Sequence, residues 1–111
     1  MELKRLLSNA SDASQRAAVF AWLNLGVIDS LASGVLGASD AIYVLYNADN
    51  CLYVNKQLRK RAAVELMSRG VQLPDLFTVL PPEEAQREYQ KELSQMRALC
   101  QELLDRKRLV A

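Results

Sequence analysis

The chain has 111 residues, half of them hydrophobic, with 14 Lys+Arg against 13 Asp+Glu, two cysteines, four glycines and no histidine. That length suits one domain, and the hydrophobic fraction excludes a disordered charged tail. A net charge of +1 leaves no global field to draw in nucleic acid or an anionic membrane.

Residues 1–10 read as a lead-in. Lys4-Arg5 is followed by Leu6-Leu7, but the apolar run stops at Ser8-Asn9, which is too soon for a secretory leader. The most apolar stretch, Ala17 to Leu25, is interrupted by Asn24 and closed by Asp29. It falls short of the roughly 20 apolar residues that span a bilayer. Cys51 and Cys100 match no metal or redox spacing and read as two reduced thiols. The expectation is a cytoplasmic protein with no membrane partner.

From residue 11 onward the hydrophobic period is helical, and strand-like alternation never persists. The first long helix is predicted to start at Ser11 as cap, with Asp12 in its first turn, and to run through Phe20 and Trp22 toward Ser33. Gly34 and Gly37 are both credible terminators. Ala18, Trp22, Gly26, Ser30, Gly34 and Ala38 recur every fourth residue. They would form a ridge of small residues if the helix reached that far, unless Gly26 or Gly34 ends it.

A second long helix is predicted from Asp40 to Arg69, capped by Ser39 and ended by Gly70. The cluster Asn47-Ala48-Asp49-Asn50 offers an alternative break, because short polar side chains compete for backbone hydrogen bonds. Continuity is the favoured reading. Residues 71–81 form a connector in which Pro74 starts one helical turn and Leu73, Leu76, Phe77 and Leu80 plug the core. The third long helix is predicted from Pro82 to Arg108, with Glu83 and Glu84 at its positive end and Arg106, Lys107 and Arg108 at its negative end. It carries a seam of Tyr89, Leu93, Met96, Cys100 and Leu103, widened by Leu99 and Leu104. The fold class is all-α: one domain, a bundle of three long helices plus a short connector helix, completed by dimerisation.

No constellation for catalysis stands out. Without histidine, a serine or cysteine nucleophile lacks its usual base, and no Gly-x-Ser-x-Gly or Ser-x-x-Lys motif occurs. Glu84, Glu88 and Glu92 share a helix face, but Arg87 and Lys91 interleave with them, as on a solvated surface. The Asn47–Asn50 cluster lacks the glycine and closing glutamate of a calcium loop. The expectations are no enzyme activity, no cofactor and no metal.

Two candidate surfaces remain. The seam Tyr89, Leu93, Met96, Cys100, Leu103 is assigned to a homodimer interface, because a helix of about 40 Å would outrun a compact three-helix core. Tyr43, Tyr46 and Tyr53, continuing to Lys56, Arg59 and Lys60, would lie on one helical face and form a partner-binding stripe. No Lys or Arg occurs from residue 17 to 55, after which Lys56, Arg59, Lys60, Arg61 and Arg69 face only Glu65. The leading functional expectation is a small non-enzymatic interaction or regulatory protein, homo-oligomeric, with an unidentified protein partner. A nucleic-acid-associated regulator using residues 56–69 is the alternative, although the segment Pro74 to Leu80 that follows is short, apolar and acidic and offers no side chain to read a base edge. A small-ligand binder using a pocket beside Trp22 and the tyrosines is third.

Overall fold

A computed structural model describes residues 1–10 and 12–110, the side chains of 106–110 excepted, and every regular element in it is helical. In chain order these are α1 (Leu3–Leu7), α2 (Ala13–Ala32), α3 (Ala38–Val44), α4 (Ala48–Tyr53), a π-helical turn (Val54–Leu58), α5 (Arg61–Gln72), α6 (Asp75–Val79) and α7 (Pro82–Val110). The all-α fold class of the sequence reading is correct. No helix among the described residues is long and apolar enough to cross a membrane.

The core lies where α7 crosses α2 and α5. From α2 come Ala17, Phe20, Ala21, Asn24, Ile28 and Leu31, spaced by three and four so that one stripe faces inward. From α5 come Ala63, Leu66, Met67 and Gly70, and from α7 come Ala85, Tyr89, Leu93, Met96, Cys100 and Leu103. The long axis of the molecule, 45 Å, is set by α7, whose 29 residues extend about 43 Å at 1.5 Å per residue.

Helix boundaries differ from the sequence reading in instructive ways. Asp12, not Ser11, caps α2, its carboxylate accepting the Gln15 amide at 2.8 Å. Ser11 itself lies outside the described residues. The helix passes through Gly26 and ends at Gly34, which adopts φ +82, the left-handed conformation that glycine takes without a Cβ penalty. The every-fourth ridge therefore stops at Ser30. The capping role expected of Ser39 belongs to Gly37, which precedes a helix with no side-chain cap.

The predicted continuous helix from Asp40 to Arg69 is broken in two places. Asn47 leaves helical geometry and caps α4, accepting the Asn50 amide at 2.9 Å, while its own amide group donates to the Tyr43 carbonyl. Arg59 and Lys60 break the helix again. Gly70 does not end α5, which continues to Gln72. It is glycine because the Tyr46 ring lies against its backbone: a Cβ there would meet Cγ and Cδ1 of the ring at 2.5 Å.

Two buried asparagines hold the break together. Asn24 donates from Nδ2 to the Phe20 carbonyl and accepts from the Tyr46 hydroxyl at 3.0 Å, both wholly inside the core. Asn50 accepts the Leu3 amide at 3.0 Å and donates to the carbonyls of Met1 and Leu45, each at 2.9 Å. Residues 1–10 are thus more than a lead-in. Leu3 and Leu7 are fully buried, and α1 packs on α2 and α4.

Candidate functional site

The sharpest local departure from regular structure lies between α4 and α5. Val54 and Leu58, both buried, draw the wide π turn onto the core and leave Asn55, Lys56 and Gln57 on the surface. The turn closes where the Arg59 amide donates to the Val54 carbonyl at 3.0 Å. Arg59 then takes φ 53 and ψ 27, and no other non-glycine residue among those described has positive φ. An L-residue with a long side chain pays roughly 1–2 kcal/mol for that conformation. Lys60 is extended and precedes Arg61, the first residue of α5. No side chain caps α5, and no acidic residue stands in its first turn.

These residues enclose an open depression of about 560 Å³. Arg59, Lys60 and Arg61 form one side of it, with Asn55 from the π turn and Val64 and Ser68 from α5. Its one carboxylate, Glu65, stands 3.9 Å from the Arg69 guanidinium. Arg59, Lys60 and Arg61 have no ion-pair or hydrogen-bond partner for their side chains among the described residues. Among the other cations, Arg5 pairs with Glu2, Arg69 donates to Glu92 and Gln95, each at 2.6 Å, and Arg97 donates to Asp29. π turns and left-handed non-glycine residues concentrate at functional sites, and here they coincide with unneutralised charge.

The structure divides the predicted partner-binding stripe. Tyr43 is exposed, Tyr53 is half-buried, and Tyr46 is in the core with only 1% of its surface accessible. The helix break between residues 44 and 48 takes the three tyrosines off any common face. Of the stripe, Arg59 and Lys60 line the depression, and Lys56 stands exposed on the π turn beside it. Arg61 entered the sequence reading only within the basic segment 56–69, and the uncapped start of α5 was missed, because a continuous helix would have hidden it. The signal available in sequence was the run Arg59-Lys60-Arg61 just beyond the Asn47–Asn50 cluster.

The seam assigned to a second subunit is filled from within. Tyr89, Leu93, Met96, Cys100 and Leu103 are all buried in one protomer. The long α2, with α5 and the short α6, covers α7. Phe77 of α6 meets Tyr89 edge-on at 5.0 Å, Arg69 of α5 reaches Glu92 and Gln95, and Asp29 of α2 reaches Arg97. The pocket expected beside Trp22 and the tyrosines does not coincide with either main depression. The second of these, about 330 Å³, lies between α5, α6 and α7 and includes Leu73, Leu76, Val79 and Leu80.

Burial raises the Cys51 thiol and pushes the Cys100 thiol up to about 12, with nearby Arg97 opposing. Protonated thiols of this kind are the reverse of activated nucleophiles. Burial likewise raises the Tyr46 hydroxyl far above its ordinary range, helped by the proximity of Cys100 and Tyr89. No group of three or more metal-ligating side chains converges among the described residues.

The chain belongs to the family described as "Protein of unknown function (DUF3969)", which it matches over residues 11–109. That span takes in every element from α2 onward and leaves α1 outside it. No curated protein and no solved structure matches the chain.

Proposed function

We propose that this chain is a small non-enzymatic helical binding protein whose recognition surface is the basic depression between the π turn and α5, and whose partner is anionic. The observation that carries this reading is the set of three consecutive cationic side chains, Arg59, Lys60 and Arg61, lining one concavity whose single carboxylate, Glu65, stands beside Arg69. Charged side chains left unpaired around a concave surface favour a ligand of opposite sign, which they can bind without first breaking an internal ion pair. A non-enzymatic role is supported by the buried polar groups. Asn24, Asn50 and Tyr46 all spend their hydrogen bonds on the fold, and the thiols are held protonated.

The test is fluorescence anisotropy with labelled anionic probes, a single-stranded oligonucleotide and an acidic peptide, at about 0.15 M salt. Micromolar binding of at least one anionic probe is expected. Replacing Arg59, Lys60 and Arg61 together by Gln should weaken it by about tenfold or more, equivalent to roughly 1.4 kcal/mol. Absence of binding to every anionic probe, phosphorylated small molecules included, sinks the reading.

A second reading is self-association, now without the α7 seam. It is favoured by Val71, Phe77 and Val79, which stay exposed at the α5–α6 end next to the smaller groove. Light scattering across a concentration series tests it, with Val79→Glu expected to abolish any dimer while leaving the fold intact.

A further inference from the structure

We infer that the depression between the π turn and α5 is built for a compact phosphoryl group, one or two phosphates carried by a small molecule, rather than for the backbone of a long nucleic acid. This rests on the anion-binding reading above and narrows its ligand. Along the chain the basic segment is short. No Lys or Arg occurs from residue 17 to 55. Beyond Arg61 the next cation along α5 is Arg69, which is already bonded to Glu92 and Gln95 and flanked by Glu65. Polymer binders that draw their affinity from backbone charge neutralise on the order of 6–10 phosphates along a continuous track. Arg59, Lys60, Arg61 and neighbouring Lys56 supply no such track, but their charge matches one or two phosphates.

The form of the site agrees with its charge. It is an open depression of about 560 Å³, with room for a small molecule's phosphates and the group that carries them. In sequence two arginines flank one lysine at its edge, and guanidinium geometry pairs bidentately with phosphate oxygens. At the same place the first amides of α5 are free of any capping side chain. Val64 is 37% exposed and, with the aliphatic stems of the basic residues, offers an apolar wall for the rest of the ligand. Finally, Arg59 holds a left-handed backbone although its side chain makes no bond in the fold that would select arginine over glycine. A ligand contact supplies that reason.

Titration calorimetry with four probes tests this: inorganic pyrophosphate, ADP, adenosine and a single-stranded oligonucleotide of about 20 nucleotides, long enough to offer the 6–10 phosphates of a polymer track. Pyrophosphate and ADP should both bind, and adenosine should not. Equal affinity for the two would identify the phosphoryl unit alone as the ligand; tighter ADP binding would add contact with the Val64 wall. Arg59→Gly, which suits the left-handed backbone, should keep the circular dichroism spectrum and lose about tenfold or more in affinity, and Arg61→Gln should do the same. Unchanged binding by both variants overturns the site. An oligonucleotide that binds at least about tenfold more tightly than ADP, with a salt dependence reporting more than about four phosphate contacts, overturns the compact ligand and leaves the anion-binding reading standing. Failure of all the phosphorylated probes and the acidic peptide overturns both.

Discussion

Gly70 and Gly26 both sit inside helices, and the same substitution should move stability in opposite directions at the two sites. Replacing a helical glycine by alanine ordinarily gains about 0.8–1.0 kcal/mol. At Gly26 nothing lies within 4 Å of an added Cβ, so Gly26→Ala should realise that gain. At Gly70 the added carbon would meet Tyr46 Cγ and Cδ1 at 2.5 Å, about 1 Å inside contact distance. The ring cannot slide away cheaply, because its hydroxyl is bonded to Asn24 inside the core. Overpacking of this kind costs typically 1–3 kcal/mol, and stretching the Tyr46–Asn24 bond costs about 1 kcal/mol more. After the helix-propensity gain, Gly70→Ala should lose about 1–3 kcal/mol. For a chain of this length that lowers Tm by about 10 °C. Urea denaturation and calorimetry would measure it. In a Tyr46→Leu background the ring is gone, so Gly70→Ala should turn neutral or stabilising. A Gly70→Ala protein as stable as the parent, or one whose loss persists without Tyr46, would refute the seating of this ring.

Other outcomes follow from the same contacts. Arg59→Gly should raise stability by about 1 kcal/mol, because glycine adopts the left-handed conformation freely, and chemical denaturation would detect the shift. Asn50→Ala removes the bonds to Met1, Leu3 and Leu45, so hydrogen exchange should show residues 3–7 losing protection first, before any loss in α7. Charged replacements of Leu93 and Met96, which are 1% and 0% exposed, should unfold the protein rather than release monomers, as circular dichroism would show. Stability should fall as pH rises above about 9, the ordinary thiol value, toward the Cys100 value of about 12. The folded state keeps its proton in that window while the unfolded chain gives it up, so rising pH favours unfolding. Tyr46 adds to the loss from about pH 10, the ordinary tyrosine value, and Cys100→Ser should flatten the part of the curve between about 9 and 10.

The helical class, α7 with its acidic start, and the turn after Pro74 were legible because each rests on local chemistry: apolar period, end charges and a proline. The extent of α2 was nearly so. What sequence alone concealed depends on partners distant in the chain. The break at Asn47 is secured by Asn50, whose side chain finds Met1 and Leu3, 47 to 49 residues away. Gly70 looks like a terminator until the ring of Tyr46 is known to need its bare backbone. Leu3 and Leu7 look like a frayed end until α4 stands beside them. The seam on α7 was read correctly as a buried face, but its cover was misassigned. The long helix α2, with α5 and the short α6, does the work that a second subunit was expected to do.

The break in the middle of the chain also explains how a nearly neutral protein can carry a concentrated cationic site. In a continuous helix, successive residues are about 100° apart, so Arg59, Lys60 and Arg61 would fan over most of the circumference. Only Lys56, Arg59 and Lys60 would then share a face, as an exposed stripe without concavity. The π turn and the left-handed Arg59 interrupt that rotation. All three consecutive cations then line one depression at the start of α5. Local strain at Arg59 and the gathering of charge are therefore one structural event. This couples two measurements that are usually independent. A substitution restoring regular helix through residues 54–61 should gain stability and disperse the cations, weakening anion binding even with every basic residue retained. Gain of stability together with undiminished binding would show that the gathering of these side chains is irrelevant to recognition.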